Sequence, residues 1–136
     1  MHTFSLLTLL FTVLLLSGCG NRTHPVRGQV VFEDGSAANE LTGYMVNFQS
    51  LEHNASATGI IQPDGTFTVG TFNDGDGALR GRQRVAITPP AVTGDEPPPP
   101  LLIPVKYGDF AKSELEVEIT SAKNELTIKV ERLKKK

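Results

Sequence analysis

Between residues 114 and 131 apolar and polar side chains alternate with a period of two, and nothing else in the 136-residue chain restricts its fold as tightly. Leu115, Val117 and Ile119 are interleaved with Glu114, Glu116 and Glu118. Leu126, Ile128 and Val130 are interleaved with Thr127, Lys129 and Glu131. On a 3.6-residue helix these apolar positions would scatter around the axis, whereas on a strand they line one face. Folding the two runs about Ala122-Lys123 as a hairpin sets Ile119 opposite Leu126, Val117 opposite Ile128 and Leu115 opposite Val130. All six then point into a core, and Glu116 faces Lys129 on the wet side.

The same period recurs upstream at short intervals, with turn residues between the runs. Val26, Gly28, Val30 and Phe32 share one face of a first strand, closed by Glu33-Asp34-Gly35. Tyr44, Val46 and Phe48 share a face of a second. A third, over residues 57–61, is expected to turn through Gln62-Pro63-Asp64-Gly65 into a fourth carrying Phe67 and Val69, as a hairpin. A fifth with Val85 and Ile87 stops at Pro89-Pro90, because proline donates nothing to a ladder. Residues 91–100, with Asp95-Glu96 and four successive prolines, predict a stiff, partly polyproline surface loop. Residues 102–107 resume an extended segment. Seven or eight short strands without a helical period make the fold class all-β, an antiparallel β-sandwich of the transthyretin (prealbumin) or immunoglobulin type. The two topologies cannot be separated by periodicity, although the Cys-Trp-Cys pattern of true immunoglobulin domains is absent.

Ahead of this domain, residues 6–16 form an apolar run followed by Ser17, Gly18 and Cys19. The run has the layout of a helical export signal and is short of the roughly 20 residues that a permanent span requires. Leu16-Ser17-Gly18-Cys19 resembles the lipobox of bacterial lipoproteins, although the first five residues lack Lys and Arg. The resemblance implies cleavage before Cys19 and covalent lipid on its thiol. Cys19 is the only cysteine, and lipid attachment gives a fate to a thiol that has no disulfide partner. The organisation expected is a signal peptide over 1–18, a lipidated tether over 19–25, a sandwich over 26–133 and a basic tail over 134–136. Arg132 and the lysines of that tail are expected to be solvated. Gly20 is not the aspartate that retains such proteins at the inner membrane, so the outer membrane or periplasmic face is the expected location.

Several patterns in order carry a second resemblance: Val26-Arg27-Gly28-Gln29-Val30, then Asp64-Gly65-Thr66-Phe67-Thr68-Val69, then Gly77-Ala78-Leu79-Arg80-Gly81, then Ile103-Pro104-Val105-Lys106-Tyr107. The succession resembles small bacterial lipoproteins whose mature part is a carboxypeptidase-regulatory-like, transthyretin-like domain. In that family the glycines mark turns or close backbone approach and the aromatics fill the sandwich. The resemblance implies a fold and a place, and no transferable chemistry.

His2, His24 and His53 have no spacing that puts two nitrogens on one metal. Glu114, Glu116 and Glu118 read as a solvated face. Asn73-Asp74-Gly75-Asp76-Gly77 offers Asp74 and Asp76 as candidate metal ligands for calcium, but lacks the alternate ligand spacing and closing glutamate of an EF-hand. An ordinary turn uses the same residues. Asn73, Asp74, Asp76, Asp95 and Glu96 are therefore binding-loop candidates, with no catalytic residue and no cofactor beyond lipid on Cys19. A net charge of −2 lacks the basic stripe that nucleic acid requires. The expectation is a non-enzymatic, membrane-anchored envelope module, held to lipid through Cys19 and binding envelope protein or glycan. The alternatives are an accessory subunit of an envelope hydrolase and a calcium-assisted glycan- or protein-binding domain.

Overall fold

Val26, Val30 and Phe32 fall on the buried side of one seven-residue strand, as the alternation requires. In the computed structural model, which describes residues 22–134, that strand, β2 (Val26–Phe32), is central to a three-stranded sheet. It pairs antiparallel with β5 (Thr66–Thr68) and parallel with β9 (Asn124–Val130). A four-stranded antiparallel sheet in the order β4 (Ser56–Ile60), β3 (Met45–Ser50), β7 (Gly81–Thr88), β8 (Leu115–Ile119) packs against it. A two-residue ribbon, β1 (Thr23–His24) with β6 (Ala78–Leu79), completes the pairing. The chain is thus an all-β sandwich, antiparallel except for the β2–β9 pair. The expected helical signal, the Cys19 end of the expected tether and residues 135–136 lie outside the described residues.

The core lies where the two sheets face one another. Phe48 of β3 and Phe67 of β5 meet edge to face, with ring centroids 6.3 Å apart and planes at 82°, a favoured aromatic geometry. Gly28 is a glycine because the Phe67 ring stands where its Cβ would be. The Val-x-Gly-x-Val and Asp-Gly-x-Phe patterns thus meet across the β2–β5 ladder, where Gly28 is the register partner of Phe67.

Three local expectations are corrected. The runs at 115–119 and 126–130 do not form a hairpin: β8 pairs with β7, and β9 pairs with β2. Ile119, Ile128 and Val130 are buried, while Leu115, Val117 and Leu126 are half-buried against the core. Glu116 accordingly faces the β7 arginines and not Lys129. The hairpin at 62–65 closes, with Gly65 N–H donating to the Gln62 carbonyl and Gln62 N–H to that of Thr66, each at 2.8 Å, and its arms meet again at a Thr58–Gly70 bridge; what differs is that β4 and β5 take their ladders in opposite sheets. Both departures share one cause. Inward-facing strands in opposite layers satisfy apolar alternation as well as neighbours in one ladder do. Third, Val105–Gly108 is a turn of 3-10 helix, not an extended segment, and it buries Tyr107 in the core.

Candidate functional site

The Asn-Asp-Gly cluster sits in a loop leaving Val69 of the inner face and returning at β6. Gly70 bridges to Thr58 of the edge strand β4, the N–H of each donating to the other's carbonyl at 3.0 Å. From there the loop closes on one side chain. Asp76 Oδ1 accepts the Thr71 N–H at 2.7 Å, and Oδ2 accepts those of Phe72 at 3.2 Å and Asn73 at 3.0 Å. These bonds, the one from Thr71 foremost, hold the Asp76 carboxyl below its ordinary pKa. Thr71 Oγ1 donates to the Gly77 carbonyl at 2.8 Å, locking the far end. Gly77 has φ +99°, and a Cβ there would overlap the His24 carbonyl, so the loop is latched against β1.

Asp76 is therefore the residue around which the loop folds. Its oxygens face backbone donors, whereas Asp74 stands exposed at the tip. Calcium takes six to eight oxygens. Among the described residues no group of three or more His, Cys, Asp or Glu side chains gathers where a metal could be held.

Between this loop and β4 runs an open groove of about 420 Å³. Ile60 and Phe72 give it exposed apolar walls, at 53% and 60% exposure, and Thr58, Gln62, Asn73 and Asp74 supply polar groups. No protein-family model, no curated protein and no solved structure matches the chain.

The other sequence candidates lie elsewhere. Asp95 and Glu96 are exposed in the proline loop, which contributes nothing to the groove wall. His24 is in β1, and His53 is in an exposed turn where its N–H donates to Ser50 Oγ. Cys19 lies outside the described residues. Glu116 pairs with Arg82 at 2.8 Å, on a half-exposed face where Arg84 is its register partner.

Sequence reasoning missed a second groove, of about 790 Å³, between residues 32–34, Glu40, Leu101-Leu102 and residues 132–134. Arg132, expected to be solvated with the basic tail, instead stacks 3.9 Å from the Phe32 ring centroid and pairs with Glu40. The only available sequence signal was the position of Arg132 two residues after Val130, which keeps it in register with the strand.

Proposed function

We propose that this chain is a lipid-anchored module of the bacterial cell envelope, non-enzymatic, binding envelope protein or glycan through loops of a transthyretin-like sandwich. One observation carries the proposal: Leu16-Ser17-Gly18-Cys19 follows an apolar run and ends in the only cysteine of the chain. The sandwich supports it by starting early. Strand pairing begins at Thr23, and the four Cα steps from Cys19 reach at most about 14 Å. A lipid on Cys19 would hold the domain against the bilayer, and several acyl chains anchor far more firmly than one.

The latch between Gly77 and His24 then sets the Asp76 loop, with Phe72, at the anchored end. The groove beside that loop is the surface best suited to a ligand there, because a fixed backbone presents apolar walls and polar groups together. Gly28 beneath Phe67 supports the carboxypeptidase-regulatory-like resemblance, since it gives the patterned glycine the structural role that the family implies.

Mass spectrometry of the mature amino terminus tests the proposal. An acylated residue at position 19 is expected, and Cys19→Ser should release the protein from membranes. A free thiol at Cys19, or membrane retention of the serine variant, would overturn it.

A further inference from the structure

We propose that β9 is a self-complementary docking edge through which two copies of this chain join in an antiparallel, two-fold pair. β9 ends its sheet, and no strand among the described residues pairs with its other side. An uncovered edge is a template for a further strand. Asn124 donates its N–H to Pro25, on the β2 side. Strand N–H groups alternate in direction, so Glu125, Thr127 and Lys129 present theirs to the open side. Glu131, next in that series, donates to Tyr107 Oη at 3.0 Å, which closes the edge at its end.

The charges identify the occupant. Lys123, Glu125, Thr127, Lys129 and Glu131 alternate along the outer face and are antisymmetric about Thr127. With Thr127 opposite Thr127 of a second copy, Glu125 meets Lys129 twice by symmetry, within the open stretch that ends where the Glu131 and Leu133 N–H groups go to Tyr107 Oη and the Leu102 carbonyl. Sliding one copy by two residues sets Lys123 against Lys129, or Glu125 against Glu131. The open N–H groups are on odd-numbered residues, so the charge-matched register is also one in which edge donors meet edge carbonyls. Lys129 has no ion-pair partner within the chain among the described residues, and Glu125 holds only the exposed Lys123, while Glu131 is taken by the half-buried Lys106. Isologous contacts of this kind close on themselves as dimers. Of the other edges, β8 carries Glu116 and Glu118, and self-pairing there sets like charges together.

Sedimentation equilibrium of the full chain in density-matched detergent, over a wide concentration range, tests the proposal. A dimer is expected. Lys129→Glu and Glu125→Lys, both at exposed sites, should each weaken it about tenfold or more, since each substitution sets two like-charge pairs across the edge. The double variant should restore affinity to within about threefold, with melting temperatures unchanged throughout when measured at dilutions where every form is monomeric. A chain that stays monomeric at every concentration, single reversals without effect, or a double variant no tighter than the singles would each overturn it. The interface uses neither Cys19 nor the Asp76 loop, so its failure leaves the proposed anchor standing.

Discussion

β8 and β9 are adjacent in the chain and alike in pattern, yet they belong to opposite layers of the sandwich. Each is delivered to its sheet by a buried polar residue just ahead of its apolar run. Ser113, 2% exposed, donates Oγ to the Val85 carbonyl at 2.6 Å and accepts the Leu115 N–H, docking the start of β8 on β7. Asn124, 5% exposed, donates to the Pro25, Thr120 and Ala122 carbonyls and accepts from the Thr120 N–H and Oγ1, tying β9 to the chain entering β2. Alternation thus decides which face of a strand is buried, and the clamp decides its neighbour. The strands also differ in burial: β9 contributes two fully buried aliphatics to the core and β8 only Ile119.

The largest way to widen that contrast is to truncate one aliphatic on each strand. Ile128→Ala should cost about 2–4 kcal/mol, because a buried side chain leaves a cavity as well as losing transfer energy. Val117→Ala, half-buried at an edge, should cost about 1 kcal/mol. Denaturant melts of the two variants check the ratio, and equal losses would mean that β8 packs as tightly as β9.

Removing the clamps is the next test. Asn124→Ala strips several hydrogen bonds and leaves buried carbonyls without donors, a loss of about 2–3 kcal/mol, against about 1–2 kcal/mol for Ser113→Ala. If the clamps select neighbours as well as stabilise, the Asn124 variant should also lose hydrogen-exchange protection along the β2–β9 ladder before the rest of the sandwich.

Most of what was legible beforehand came from alternation: nearly every strand, the inward faces, the breaks at Pro89-Pro90 and the Asp64-Gly65 turn. Ser113 and Asn124 were invisible because Ser and Asn read as turn residues, and their partners Val85 and Pro25 lie far off in sequence. The Asp76 loop was legible as a loop and as a cluster. That Asp76 points inward to backbone donors while Asp74 stands outside was not, since spacing says nothing about which carboxylate the loop wraps. The apolar wall of Ile60 and Phe72 was missed for a related reason: its residues come from different segments, and neither is patterned with the other.

The outer faces make a smaller comparison. Glu116 and Arg82 form an ion pair with both side chains about half exposed, so Glu116→Gln should cost no more than about 0.5 kcal/mol, and less in high salt. Lys129→Glu on β9 should be equally silent for folding of the dilute monomer. A melting-temperature shift of several degrees in either variant would show that these faces stabilise the domain beyond their exposure.

Acid separates the clamps from the turns. Asp34 is held below its ordinary pKa by the Ser36 hydroxyl and N–H, Asp64 by those of Thr66, and Asp76 by N–H groups led by that of Thr71. A folded-state pKa lowered in this way contributes stability that is present above the ordinary aspartate value and fades as the pH falls through the lowered one. Neither Ser113 nor Asn124 ionises in that range. Lowering the pH should therefore cost the amides of Ser36, Thr66 and Thr71 their exchange protection, because each donates to one of these carboxylates. The Thr120 amide, which donates to Asn124 Oδ1 at 2.9 Å, should keep its own. Loss of Thr120 protection together with the others would mean that the β8–β9 connection depends on the turns. Its persistence after they have loosened would make the Asn124 clamp an independent determinant of where β9 lies.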